Sequence, residues 1–311
     1  MDPIIRFVGT SKRFGSQQAL NTFTLDVPSG TVFALLGENG AGKTTAIRIM
    51  LGLLEADCGS ASVFGLDSRR DGLKIRQRVG YVPENPTMYD WMTVDEIGWF
   101  AAAFYGDGFI SRYRELTSQY QLPAHKKLSA LSKGMRAKVA LSLALAPDPE
   151  LLVLDEPTSG LDTLVRREFL ESMVERAACG KSVFLSSHQI HEVERVADVV
   201  AIIREGKVLV VEHLDKLKRE TVEVTVTLSN GAPQPPIVEG EILRQRRRAR
   251  QWQVLARNLG GGQIAKLREE ATVGEVEVRA PNLEEIFVAY MKSQIESAAA
   301  TEDTNAEADN S

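Results

Sequence analysis

Residues 31–44 read TVFALLGENGAGKT. Their first part, TVFALLG (31–37), is a continuous apolar run of the length of a strand buried on both faces. The second, Gly37 to Thr44, fits the pattern G-x-x-x-x-G-K-[ST]. The stretch that continues from it, KTTAIRIMLGLL (43–54), has helical periodicity. A strand, a glycine-rich turn and a helix in that order form a cradle for phosphate. Glycines let backbone N–H groups turn inward around phosphate oxygens. The helix start adds unpaired N–H groups and the positive end of its dipole. Lys43 is placed to reach the outer phosphates, and Thr44 to offer its hydroxyl to Mg²⁺. The candidate nucleotide contacts are therefore Gly37, Glu38, Asn39, Gly40, Ala41, Gly42, Lys43, Thr44 and the adjoining Thr45. The expected ligands of this loop are a nucleotide's phosphates and Mg²⁺.

Similar units recur downstream. ELLVLDEP (150–157) and SVFLSSH (182–188) read as buried strands, followed by helical patterns at 164–177 and 190–197. DVVAIIREGKVLVVE (198–212) reads as a hairpin turning at Glu205, Gly206 and Lys207. Apolar strands alternating with helices predict an α/β core with both sheet faces covered. Between about residues 84 and 146 the strand signals stop. Helical patterns at 92–105, 111–122 and 135–146 predict a helical insertion there.

After about Leu217 the pattern changes. Alternating strands are expected at 221–228, 252–257 and 275–280, a turn-rich break at 229–236 and a closing helix at 282–293. The expected organisation is a core domain at 1–217, a small α+β appendage at 218–293, and a disordered acidic tail at 294–311.

Composition narrows the class. The chain has 311 residues, 43% of them hydrophobic and 25% charged, enough to bury a full core. A net charge of −5 argues against a surface built throughout to grip nucleic acid. Cys58 and Cys179 belong to no paired motif and read as ordinary thiols. No apolar run approaches the roughly 20 residues that cross a bilayer, and the start lacks a signal-peptide pattern. A cytoplasmic protein is expected, reaching a membrane only by docking onto another chain.

Three further features carry chemistry. Asp155 and Glu156 end the strand LLVLDE. A carboxylate there can orient Mg²⁺ or its water, and its neighbour can polarise an attacking water. A strand ending in Asp-Glu can equally be a solvated edge. Ser132, Lys133 and Gly134 precede a helix and read either as a plain N-cap or as a second anion site. His188 ends a strand; it is a packed or surface histidine, or it touches the terminal phosphate.

Together these motifs resemble the ATP-binding subunit of ATP-binding cassette (ABC) transporters over roughly residues 4–215. GENGAGKT is similar to the family's phosphate loop and LSKGM (131–135) to its signature. LLVLDEP is similar to the Walker B strand, SGLD (159–162) to the loop that crosses to the partner subunit, and His188 to the switch histidine. The resemblance implies a P-loop NTPase fold with a helical subdomain. It places Phe14 where the family stacks an aromatic ring on adenine. It implies a head-to-tail dimer, with each ATP between one subunit's phosphate loop and the other's Ser132, Lys133 and Gly134, and with Asp162 in the crossing loop. It also assigns Glu156, His188 and Lys43 to catalysis, and Asp155, Thr44 and Glu84 to the metal.

Two departures stand out. The usual signature LSGGQ carries Lys133 and Met135, and the usual Q-loop glutamine is Glu84. Both variants resemble the branch whose membrane subunits are ABC-2 type exporters. The implied partners are a second copy of the chain and separately encoded transmembrane permease subunits. No nucleic acid is expected. The alternative is a non-transport ABC ATPase acting on nucleic acid or ribosomes, favoured only by the arginine run at 244–250.

Overall fold

The computed structural model describes residues 2–158, 161–229, 240–248, 250–270 and 273–292. The expected break at 229–236 lies largely outside these residues, and the expected tail at 294–311 wholly so.

In chain order the strands of the first part are β1 (Ile5–Phe14), β2 (Gln17–Val27), β3 (Val32–Leu36), β4 (Cys58–Val63), β5 (Leu66–Asp67), β6 (Val79–Val82), β7 (Leu151–Asp155), β8 (Ser182–Ser187), β9 (Val199–Arg204) and β10 (Lys207–His213). Its helices are α1 (Lys43–Met50), α2 (Gly72–Arg78), α3 (Val94–Ala102), α4 (Phe109–Gln119), α5 (Lys133–Leu145), α6 (Thr163–Ala178) and α7 (Ile190–Val196). They are followed by α8 (Leu214–Glu220), β11 (Thr221–Leu228), β12 (Glu241–Arg248), β13 (Gln251–Arg257), α9 (Gly261–Glu269), β14 (Val273–Arg279) and a helix α10 at 283–292. Packing divides the chain into two compact units, the first ending at Val211 and the second beginning at Glu212.

The first unit is built on a six-stranded sheet of order β10-β9-β3-β8-β7-β6. β9, β3, β8, β7 and β6 run parallel. Every residue of β3 and β7 is buried, as expected for strands covered on both faces. The parallel arrangement sends the C-terminal ends of β3, β6, β7 and β8 to one edge. Gly37, Glu84, Glu156 and His188 all follow those ends.

A second sheet, antiparallel and of order β2-β1-β4-β5, was not expected from the sequence. β1 alternates buried Ile5 and Phe7 with exposed Arg6 and Val8, but its register shifts between Phe7 and Thr10 and again beyond. These irregularities break the period-two pattern and hide the strand. Phe7 packs edge-on against Phe23 at 5.1 Å. Both sheets close on α1 through Ala46, Ile47, Ile49 and Met50. That helix stops earlier than periodicity suggests, because Gly52 takes φ +65° and Leu53 N–H returns to the Arg48 carbonyl at 2.8 Å.

The insertion is helical as expected. Thr93 and Glu96 form a capping box at the start of α3. The Tyr113 ring of α4 fills the space beside Gly98, where any added Cβ would lie 2.1 Å from it, and its hydroxyl donates to the Val94 carbonyl at 2.7 Å.

The second unit has a four-stranded antiparallel sheet of order β12-β13-β11-β14. One face, with Val224, Val226, Trp252 and Val254, packs on Leu267 of α9. Arg244 to Arg248 of the arginine run lie on β12, an edge strand, and Arg244 pairs with the buried Glu223 at 3.0 Å. Asn282 and Glu285 cap α10 reciprocally.

Candidate functional site

The turn after β3 is held by its own glycines. Gly42 has φ +107°, and a Cβ there would lie 2.4 Å from the Ala19 carbonyl oxygen. Only glycine fits that conformation and that approach. The turn closes through Ala41 N–H to the Glu38 carbonyl at 3.1 Å, and α1 then starts at Lys43.

A cavity of about 360 Å³ opens over this turn. Glu38, Asn39, Gly40, Ala41, Gly42, Lys43, Thr44 and Thr45 line it, with Phe14, Glu84 and Glu156. Gly37 lies buried beneath. Three distant segments therefore meet where the local motif predicts phosphate. Gln17 and Ala19 also line the cavity. Sequence reasoning missed them, since their position depends on the β1–β2 turn at Gly15. The same turn presents Phe14, half exposed, with Lys12 Nζ 5.6 Å from its ring centre.

Glu156 is the centre of the polar network. It is 6% exposed, and its φ of +49° is rare for a residue with a side chain. Its backbone N–H donates to the Ser186 carbonyl at 3.1 Å. One carboxylate oxygen lies 2.9 Å from Lys43 Nζ. The other lies 2.8 Å from His188 Nδ1. Lys43 Nζ also donates to the Gly37 carbonyl at 2.7 Å. Asp155 is buried beside them and accepts a short hydrogen bond from the Ser186 hydroxyl. Ser186 was not singled out from the sequence. Burial, and next the Asp155 charge, push the Tyr81 phenol up to about 12.

Ser132, Lys133, Gly134 and Asp162 do not line this cavity. Ser132 caps α5, accepting from Met135 N–H at 3.2 Å. Gly134 lies against Val165, and a Cβ there would be 3.7 Å from an Asp162 carboxylate oxygen. The signature residues and Asp162 thus form a neighbourhood of their own.

This arrangement has close relatives. The chain is 31% identical over 215 residues to the ABC transporter ATP-binding protein YtrB of Bacillus subtilis, covering 69% of this chain and 73% of that protein. The chain belongs to the ABC transporter ATP-binding proteins. A family model described as ABC transporter matches residues 20–159. The bacitracin transport ATP-binding protein BcrA of Bacillus licheniformis is 33% identical, over 75% of this chain and 78% of that one. A solved ATP-binding subunit of an ABC transporter superposes with a TM-score of 0.64 at 32% identity, over 70% of this chain and 92% of its own. As an ABC ATPase, the chain binds and hydrolyses ATP to energise a transporter. The core is the P-loop NTPase fold that the resemblance implied. Among the described residues, no helix is long and apolar enough to cross a membrane.

Proposed function

We propose that this chain is the ATP-hydrolysing subunit of an exporter whose membrane-spanning permease subunits are separate chains. Export is supported by a relative named as a Nod factor export protein, from Burkholderia lata at 34% identity; two others are named for bacitracin transport (BcrA) and daunorubicin resistance (DrrA2 of Streptomyces coeruleorubidus, 35%). The chain works at the inner face of the cell membrane, held there by the permease.

The single observation that carries the hydrolytic reading is Glu156, placed between Lys43 and His188. Phosphate oxygens compete with Glu156 for the Lys43 ammonium. Once Lys43 turns to them, the freed carboxylate oxygen accepts a proton from an attacking water. His188 holds the other oxygen and fixes the carboxylate's orientation. Phe14 offers an exposed ring face to adenine.

Thr44, Asp155 and Glu84 offer a hydroxyl and two carboxylates, and Thr44 and Glu84 share one cavity wall. That donor set suits Mg²⁺, which takes one or two carboxylates plus phosphate oxygens. When bound, the ion neutralises phosphate charge.

Ser132, Lys133 and Gly134 lie off the cavity at the start of a 13-residue helix, with Ser132 and Lys133 exposed. A second copy, docked head to tail, supplies them to the first copy's ATP. On this reading residues 1–217 form the cassette, with the helical subdomain at about 84–146, and 218–293 form the appendage.

Steady-state hydrolysis by Glu156→Gln tests the assignment. Turnover should fall about a hundredfold or more, with nucleotide binding retained. Wild-type turnover in that variant overturns it.

A further inference from the structure

Glu192 is a carboxylate only 7% exposed that the hydrolytic scheme leaves unused. It sits in the first turn of α7, the helix that starts two residues after His188. Its Oε2 accepts a short hydrogen bond from the Thr158 hydroxyl. Thr158 is itself buried and lies two residues after Glu156, separated from it by Pro157. Proline fixes its own φ, so an anchor at Thr158 restrains Glu156 closely.

The second oxygen, Oε1, lies 2.9 Å from Arg166 Nε on α6. That approach lies off the N–H direction, so the contact is an ion pair and not a hydrogen bond. Arg166 also donates from a terminal nitrogen to the Leu161 carbonyl at 3.1 Å, one residue before Asp162. Leu161 N–H in turn donates to the Thr158 carbonyl at 3.1 Å. One buried carboxylate thus touches the segments that carry Glu156, His188 and Asp162.

We infer that Glu192 is a positioning residue for hydrolysis. It ties the backbone after Glu156, and through Arg166 the backbone before Asp162, to the helix that follows His188. The inference rests on the reading of Glu156 and His188 as the hydrolytic pair. A buried carboxylate is costly unless its oxygens are partnered. Both oxygens of Glu192 are partnered, and both partners belong to segments of the site. A small shift of either segment moves the Glu156 carboxylate relative to the attacking water, and misplacement on the order of 1 Å can cost up to about a hundredfold in rate.

The test uses the full chain with four variants: Thr158→Val, Thr158→Ser, Glu192→Gln and the double variant Thr158→Val/Glu192→Gln. Thr158→Val removes the hydroxyl at nearly constant volume. Glu192→Gln keeps an acceptor for Thr158 but loses the charge facing Arg166. Turnover is measured per folded molecule, with KM for ATP and binding of a fluorescent ATP analogue. Thr158→Val should lower kcat about tenfold or more and Glu192→Gln should lower it too, with KM and nucleotide binding within about twofold of wild type. Thr158→Ser should restore most of the rate. The double variant should lose less than the product of the two single losses, since both changes act on the contacts of one carboxylate.

Wild-type kcat in both single variants overturns the inference. So does a double variant whose losses multiply, because the two groups then act separately. A fall in kcat matched by an equal fall in nucleotide binding also overturns it, marking a role in folding alone. Glu156→Gln, run in parallel, separates the two readings. If that control turns over normally, the hydrolytic assignment fails whatever the Glu192 variants do. If only the Glu192 and Thr158 variants are normal, the positioning role fails and the assignment stands.

Discussion

Glu156 and Lys43 are each 6% exposed and meet at 2.9 Å, so the strand-end carboxylate and the phosphate-loop lysine neutralise one another inside the protein. His188 takes the opposite carboxylate oxygen at 2.8 Å. Neither charge faces bulk water. Each depends on the other, and both line the cavity that opens over the glycine turn.

Replacing one member of this pair strands the other charge. Lys43→Met should destabilise the fold by about 3–5 kcal/mol, the usual cost of leaving a buried charge unpaired. Thermal or denaturant unfolding measures it. The double variant Lys43→Met/Glu156→Gln should regain part of that loss. Equal stability of the single and double variants would refute the coupling. ATP binding should fall in both, since the outer phosphates lose their ammonium.

Gly42→Ala should abolish nucleotide binding and destabilise the first unit. The new Cβ would lie 2.4 Å from the Ala19 carbonyl, at a φ of +107° that side chains rarely adopt. A cost of at least about 1–3 kcal/mol is expected from the backbone conformation alone. Titration with a fluorescent ATP analogue and a melting curve read both effects.

Phe14→Ala should weaken ATP binding about 5- to 150-fold, matching about 1–3 kcal/mol for a base stacked on an aromatic ring. Phe14→Tyr should keep most of the affinity. Stability should barely change, because the ring is half exposed. Isothermal titration of the three proteins decides it. Equal affinity of Phe14→Ala and wild type would remove Phe14 from the nucleotide site.

Acid should uncover an ion network in the second unit. Lys216, and after it the His213 N–H and Arg257, hold Glu212 down to about 2, against an ordinary value of 4.5. A carboxylate whose folded-state pKa is depressed adds stability above its unfolded pKa and loses it as pH falls through the folded one. Wild type should therefore be more stable than Glu212→Gln above pH 4.5, with the gap closing as pH falls towards about 2. Unfolding of both proteins across that range measures the gap. A constant gap would show that Glu212 acts by packing and not by charge.

The local chemistry of the site was readable from the chain. Apolar continuity marked β3, β7 and β8, and the helix start at Lys43 followed from the loop motif. Ser132 does cap a helix, as a hydroxyl residue before an apolar-periodic stretch should. The bulged strand β1 was unreadable because its alternation is interrupted. The arginine run was not read as a strand, since β12 lies at a sheet edge and its Arg-Gln-Arg-Arg-Arg stretch is polar at every position, with no apolar alternation to mark it.

What the sequence by itself determined is what is set within a few residues: the glycine turn, the buried strands, the Ser132 cap and the family. Such features obey local geometry, so their spacing declares them. Only the tertiary structure decided that Phe14 joins the phosphate loop, that Lys43 pairs with Glu156, and that Glu192 binds Thr158 and Arg166. Those contacts join segments far apart in the chain. The parallel sheet brings its strand ends to one edge, and the antiparallel sheet turns Phe14 towards it. Side chains meeting across such a fold are chosen by packing and by partnering of buried charge, which no local spacing records.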